Sequence, residues 1–139
     1  MKIDGGCFCG QVTYKAEIDP ARVAICHCAD CQINSGTAYG VIVPVDNDAF
    51  TLLTGTLKTH VKVAESGNRR ALNFCPECGT RVHAHNADGD PGFIGLRVGT
   101  ANQRDQLKPN KQAWTRSALS WVEDLSGIEK FELQPDLSK

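Results

Sequence analysis

Apolar and polar residues alternate along several short stretches of the chain, with the period expected of a strand that buries one face. Turn signals separate these stretches: Asp19-Pro20 ends the first, and Glu65-Ser66-Gly67-Asn68 predicts a hairpin with a short glycine-containing loop. A continuous apolar run, 40–45, predicts a buried strand with Pro44 near its end. The alternating positions are Val12, Tyr14, Ala16 and Ile18; Leu57, Thr59, Val61 and Val63; Arg70, Leu72 and Phe74; Thr80, Val82 and Ala84; and Ile94, Leu96 and Val98.

Helical signals are weak by comparison. Residues 28–37 predict a turn or two of helix, residues 102–107 predict another turn, and no stretch sustains a helical period. Thirteen glycines fit a chain with many tight turns. We therefore expect a mainly β fold in which residues 1–139 form a single domain of small packed sheets.

Composition and charge exclude several classes of protein. Hydrophobic residues make up 41% of the sequence, which argues against disorder. The formal net charge is -1 and no basic stripe stands out, so we expect no nucleic-acid partner. No apolar run approaches the roughly 20 residues of a membrane span, and the N-terminus has no secretory signal region, so a cytoplasmic protein is expected.

Seven cysteines are many for a chain of 139 residues, and they serve either as disulfides or as metal ligands. Their number is odd, no secretory signal accompanies them, and they occur as tight C-x-C and C-x-x-C pairs. In a reducing compartment such pairs more often hold metal, so metal binding is the preferred interpretation.

Two of the cysteine pairs complement each other. Cys75-Pro76-Glu77-Cys78 has the form of a zinc knuckle, and Gly79 after it permits a left-handed turn. One knuckle supplies two ligands, whereas a structural zinc takes about four in a tetrahedron. Cys7 and Cys9 are the natural complement, and together the two pairs would form a closed site.

The other three cysteines are Cys26, Cys28 and Cys31, which lie within six residues of sequence. Three thiolates can bind one zinc and leave its fourth position open, as in a catalytic site. A second partition stays possible, in which this triplet recruits a histidine and both sites are closed. The candidate histidines are His27, His83 and His85, although each is more often a surface or core residue than a ligand.

A zinc with three thiolate ligands has a formal charge of -1, which disfavours making hydroxide and suits the activation of an incoming thiol. The resulting thiolate could add to an aldehyde, and a neighbouring cation would balance the added negative charge. The candidate cations are Arg69, Arg70, Arg81 and Arg97, most of which we expect to be solvated or paired with carboxylates. Asp30 or His27 could relay a proton, but the simpler interpretation of Asp30 is that it caps the turn around the triplet.

The order and spacing of these motifs resemble the glutathione-dependent formaldehyde-activating family, also called the CENP-V/GFA domain. The resemblance rests on Gly6-Cys7-Phe8-Cys9-Gly10, on Cys26-His27-Cys28-x-x-Cys31, and on Phe74-Cys75-x-x-Cys78-Gly79-Thr80. Further similarities are Ser66-Gly67 before Arg70, Gly99-Thr100, Trp121-Val122 and the segment from Ile128 to Pro135.

The resemblance implies an Mss4-like β-tent pinned by two zinc ions per chain. It implies a structural zinc on Cys7, Cys9, Cys75 and Cys78, and a catalytic zinc on Cys26, Cys28 and Cys31. It also implies carbon–sulfur lyase chemistry with a glutathione-like thiol and a small aldehyde such as formaldehyde as partners. The alternatives are a non-catalytic zinc module of the same fold that binds a protein partner, and a zinc store or redox sensor.

Overall fold

A computed structural model describes residues 1–138. Ten strands and one α-helix make up its regular structure, with short 3-10 turns between them. In chain order the elements are β1 Lys2–Gly6, β2 Thr13–Glu17, β3 Ala24–Cys26, α1 Ala29–Ser35, β4 Gly40–Asp46, β5 Phe50–Thr54, β6 Lys58–Val63, β7 Arg69–Phe74, β8 Arg81–Asn86, β9 Phe93–Arg97 and β10 Lys111–Ala113.

The strands form two sheets. The smaller sheet has the order β1-β2-β5 and is antiparallel throughout. The larger sheet has the order β10-β3-β4-β9-β8-β7-β6, and its neighbours are antiparallel except for β10, which pairs with β3 in parallel. The predicted mainly β class is therefore confirmed, although one of the sheets is mixed and extends over seven strands.

The hydrophobic core lies between the two sheets. Tyr14 of β2 is fully buried and stacks on Phe50 of β5, with ring centroids 5.4 Å apart. Phe50 in turn meets the edge of His83 on β8 at 5.0 Å. Because successive side chains of a strand point to opposite faces, this packing leaves the other face of the large sheet free to line a pocket.

Most of the predicted strands and turns are confirmed. Val12, Tyr14, Ala16 and Ile18 are all buried, and the run 40–45 lies within the central strand β4. The predicted hairpin joins β6 to β7, with Gly67 at a positive φ of 87°. The helical signals are confirmed as the seven-residue α1 and the 3-10 turn Arg104–Gln106.

Strand β6 alternates as predicted, but its apolar face is not buried. Val61 is 40% exposed and Val63 is 63% exposed, because β6 is the edge strand of the large sheet. The opposite face, with His60 and Lys62, lines the pocket described below.

The C-terminal segment, residues 118–138, follows the last strand and contains no further helix or strand. Its backbone hydrogen bonds close short turns, for example from Val122 N–H to Leu119 O. Several large apolar side chains of the segment are exposed: Leu119, Trp121, Leu125, Ile128, Phe131, Leu133 and Leu137. A search of the described residues for a helix long and apolar enough to cross a membrane finds none.

Candidate metal centres and the pocket beside them

The first cysteine cluster joins the end of β1 to the hairpin between β7 and β8. The sulfur atoms of Cys7, Cys9, Cys75 and Cys78 all lie within 4.8 Å of one another. Cys7 Sγ is 3.5 Å from Cys9 Sγ, and Cys9 Sγ is 3.8 Å from Cys75 Sγ. These distances exclude disulfides, and they approach the spacing of about 3.8 Å between sulfurs that share a tetrahedral zinc.

Two loops of similar construction present these thiols. Cys7 N–H donates to Val12 O and Cys75 N–H donates to Thr80 O, so each loop closes over five residues. Gly10 and Gly79, which follow the second cysteine of each pair, have φ angles of 83° and 76°. L-residues rarely adopt this left-handed conformation, so the glycines allow both loops to curl around one point.

Thr80 connects the two loops, and sequence reasoning did not assign it a role. Its hydroxyl accepts a hydrogen bond from Phe8 N–H at 3.0 Å and lies 3.1 Å from Cys78 Sγ. Hydrogen bonds from the Thr80 side chain and backbone lower the pKa of Cys78 to about 5. A thiol that readily gives up its proton suits a metal ligand, because the thiolate is the form that binds.

The second cluster lies where β3 passes into α1. Cys26 ends β3, Cys28 is the N-cap of α1, and Cys31 is in its first turn. Cys31 N–H donates to Cys28 Sγ at 3.4 Å, and Cys28 Sγ is 3.5 Å from Cys26 Sγ. The three sulfurs lie within 4.8 Å of one another, so this cluster can also hold a metal ion.

Within residues 1–138, no histidine joins either cysteine cluster. His27 is buried between two cysteines, and its Nε2 is 2.7 Å from Gln112 Oε1 on β10. His83 faces the core, where Nδ1 is 3.3 Å from Asn73 Nδ2. His85 neighbours His83 with ring centroids 5.8 Å apart, so the two share one face of β8.

A pocket of about 970 Å³ covers the outer face of the large sheet and ends at the second cluster. A smaller pocket of about 550 Å³ lies beside the first cluster and is lined largely by glycines and threonines. Only the larger one combines free thiols with a group of cationic side chains. These cationic side chains are Lys62, Arg70, Arg81 and Arg97.

The structure divides the four candidate arginines into two groups. Arg69 pairs with Asp88 at 2.7 Å on the surface, as expected. Arg70, Arg81 and Arg97 line the pocket, and no ion pair joins them to a carboxylate among the described residues. Of the two expected environments, pairing with a carboxylate is confirmed for Arg69 and is not found for these three, which are half-buried in the pocket wall.

Arg97 lies directly beside the second cluster. The pKa of the Cys31 thiol is lowered to about 5, first by a hydrogen bond from Cys26 and then by the positive charge of Arg97, against a burial that raises it. Gly40 makes room for this arrangement. A methyl group at Gly40 would be 2.4 Å from Arg97 Nη1 and 3.6 Å from Cys31 Sγ.

Asp30 does not cap the helix, because Cys28 occupies the N-cap position and its sulfur accepts the capping hydrogen bond. The Asp30 carboxylate instead forms an ion pair with Lys62 across the mouth of the pocket. The interpretation of Asp30 as the cap was therefore wrong, and its carboxylate ties α1 to the edge strand β6.

The comparisons with known proteins agree with this architecture. The sequence model of the family described as glutathione-dependent formaldehyde-activating enzyme matches residues 2–117. The chain belongs to this family. The family match includes all seven cysteines, so both clusters lie within the matched residues.

Among solved structures, a crystal structure of a Rhodobacter sphaeroides protein, a structural-genomics target, has a TM-score of 0.59 with this chain. It is 19% identical in sequence, and the alignment covers 79% of this chain and 99% of that chain. At this identity the likeness supports the fold alone. No curated protein matches the sequence.

Proposed function

We propose that this protein is a zinc-dependent carbon–sulfur lyase that joins or separates a glutathione-like thiol and a small aldehyde such as formaldehyde. The observation that carries the proposal is the position of the three-cysteine cluster, which ends a large pocket lined by uncompensated arginines. Family membership supports the same chemistry, since the family is one of formaldehyde-activating enzymes.

The two clusters have different roles in this proposal. Cys7, Cys9, Cys75 and Cys78 provide four sulfurs, which complete a tetrahedron and leave no position for substrate. Cys26, Cys28 and Cys31 provide three, and the pocket lies on their open side. When bound there, zinc supplies a fourth coordination position for a thiolate and lowers the pKa of the incoming thiol.

The residues around the open cluster bind and orient the substrates. Arg97 balances the negative charge of the cluster and of the incoming thiolate. The outer face of the sheet forms one wall of the pocket, and Ile42, Leu72 and Ala84 give part of that wall an apolar surface. These contacts hold a thiolate and a small aldehyde together, which lowers the entropic cost of their reaction.

The reaction itself is an addition. The thiolate sulfur attacks the carbonyl carbon and forms the carbon–sulfur bond, while the carbonyl electron pair moves to oxygen. That oxygen takes a proton from solvent and gives the S-hydroxymethyl adduct. The proton lost by the thiol goes to solvent. The same steps in reverse separate the adduct into thiol and aldehyde.

Exchange NMR with ¹³C-formaldehyde and glutathione tests this proposal, because the adduct also forms spontaneously and only a rate above background identifies an enzyme. We expect the wild-type protein to accelerate exchange between free and adducted formaldehyde. Cys28→Ser should return the rate to background, whereas Lys15→Ser, on the small sheet, should not.

A wild-type rate equal to background over a panel of thiols and aldehydes would contradict the proposal. In that case the non-catalytic zinc module would be the better description of the chain.

A further inference from the structure

Arg81 and Arg97 both line the pocket, and no carboxylate among the described residues forms an ion pair with either of them. Arg81 begins β8 and Arg97 ends β9, and because these neighbouring strands are antiparallel, the two side chains start from the same edge of the sheet. Burial, and after it the charge of Arg97, lowers the pKa of Arg81. One nitrogen of each, Nη1, is fully buried and has no hydrogen-bond partner among residues 1–138. Both side chains line the pocket that ends at the second cluster.

Such an arrangement is costly unless a ligand completes it. A buried charged donor without a partner loses its hydration and gains nothing in exchange. Two adjacent positive charges also repel each other, and no described carboxylate pairs with either one. Phe74 packs under Arg81, with the guanidinium carbon 5.4 Å from the ring centroid, so this side chain is held in position.

We propose that Arg81 and Arg97 form a carboxylate subsite that selects thiols bearing a carboxylate a few bonds from the sulfur. This inference rests on the proposed function, since it assigns the substrate class of the same pocket. Arginine suits the task because its planar guanidinium binds a carboxylate through two parallel hydrogen bonds.

The distance from sulfur to carboxylate follows from Gly40. The guanidinium Nη1 of Arg97 lies 2.4 Å, and the sulfur of Cys31 3.6 Å, from the position that a methyl carbon at Gly40 would take, so the two groups are near each other. A carboxylate held by Arg97 is therefore close to any sulfur bound at the cluster. The volume of about 970 Å³ leaves room for a longer remainder of the substrate, such as a peptide.

Isothermal titration calorimetry of the zinc-loaded full chain tests the subsite with two thiols of equal length, 3-mercaptopropionate and 3-mercaptopropionamide. We expect the carboxylate to bind at least about tenfold more tightly than the amide, the ratio that corresponds to one charge-assisted hydrogen bond. Arg81→Gln should reduce this ratio to near one. Arg69→Gln is the matched control, because Arg69 is a surface arginine of the same sheet, and it should keep the ratio.

A third ligand, 3-(methylthio)propionate, separates the subsite from the proposed function, because its thioether has no proton to lose and cannot become a thiolate. Weak binding to the wild type that Arg81→Gln abolishes supports the subsite, even if no thiol exchange is accelerated. Equal binding of carboxylate and amide, or a ratio that Arg81→Gln leaves unchanged, would overturn the subsite even if exchange is accelerated.

Discussion

Gly40 is the residue on which the geometry of the open cluster most depends. Its backbone is ordinary strand, so the reason for a glycine is space: any side chain would occupy the position of the Arg97 guanidinium. The tip of arginine is flexible, so an added methyl group displaces the guanidinium and leaves the strand in place. Gly40 thereby positions Arg97 without touching the substrate.

Gly40→Ala should weaken binding of 3-mercaptopropionate several-fold and leave the thermal midpoint of unfolding within a few degrees of the wild type. Calorimetric titration and a thermal scan measure the two effects. Gly99→Ala is the control, because nothing lies within 4 Å of a methyl group there and its φ is not in the left-handed region. Unchanged binding in Gly40→Ala would show that Arg97 does not contact the ligand.

His83 couples stability to pH. Burial, and to a smaller degree the charge of His85, lower the pKa of His83 from 6.5 to about 4. Between these values the unfolded chain binds a proton that the folded chain does not, so the folded state loses stability as pH falls. The contribution of His83 is complete above about pH 6.5 and declines by up to about 1.4 kcal/mol per pH unit towards pH 4.

Urea unfolding at several pH values between 5 and 7 measures this slope. We expect His83→Gln to flatten it relative to the wild type, whatever the variant's absolute stability, whereas His60→Gln, at an exposed histidine, should not. Equal slopes in the wild type and in His83→Gln would contradict the assignment.

The sequence indicates which individual side chains can bind metal, but it does not indicate which neighbouring residues position them or shift their pKa values. The spacing of the cysteines is local information, so both clusters could be anticipated. Thr80 could have been noticed as the residue after the knuckle glycine. The Gly40–Arg97 contact joins two strands and has no local signal, so it could not have been predicted.

Among the elements, the hairpin between β7 and β8 depends most on the first cluster. Cys75 is fully buried, and its loop brings β7 and β8 to the N-terminal loop that carries Cys7 and Cys9. A metal ion bound there would link Cys9 to Cys75, which lie 66 positions apart in the sequence. Such binding contributes about 10 kcal/mol or more in small zinc domains, which is comparable to the whole stability of a typical domain.

Cys75→Ser should therefore prevent stable folding. Circular dichroism and the dispersion of amide signals in an NMR spectrum measure the outcome. Glu77→Ser, in the same loop but outside the cluster, is the control and should fold normally. A well-folded Cys75→Ser protein would contradict the structural role of the first cluster.

Elements with a clear two-residue period, and the continuous apolar run of β4, were predictable, whereas the short strand β10 was not. The stretches that became β2 and β9 bury alternate side chains, so their pattern follows from the core. Strand β10 has three residues, all exposed, and pairs in parallel with β3, so nothing in its own sequence marks it. Its register depends on tertiary contacts, including the one between His27 and Gln112.

In the molecule as a whole, the two faces of the large sheet have different roles. The inner face packs on the small sheet and forms the core, and the outer face carries the arginines of the pocket. The alternation of side chains in β8 and β9 serves both faces at once: Leu96 is fully buried, whereas Arg97 lines the pocket. The fold class was predictable because this alternation is visible in the sequence. The pocket was not predictable, because its lining residues come from strands that are far apart in the sequence.

The C-terminal segment should contribute little to the stability of the fold. Phe131 is 56% exposed and lies outside the family match, so Phe131→Ser should change the free energy of unfolding by no more than about 0.5 kcal/mol. Leu96→Ala, in the core, should cost about 2–5 kcal/mol. Urea unfolding compares the two, and a cost for Phe131→Ser near that of Leu96→Ala would show that the segment is part of the core.

We infer that the seven cysteines form a closed site of four and an open site of three. The most direct test is to count zinc per chain in freshly reduced protein by mass spectrometry of the metal, together with circular dichroism. We expect two zinc ions in the wild type and one in a Cys28→Ser variant that remains folded. Recovery of a single zinc from the wild type, with the thiols of Cys26, Cys28 and Cys31 free to react, would contradict it.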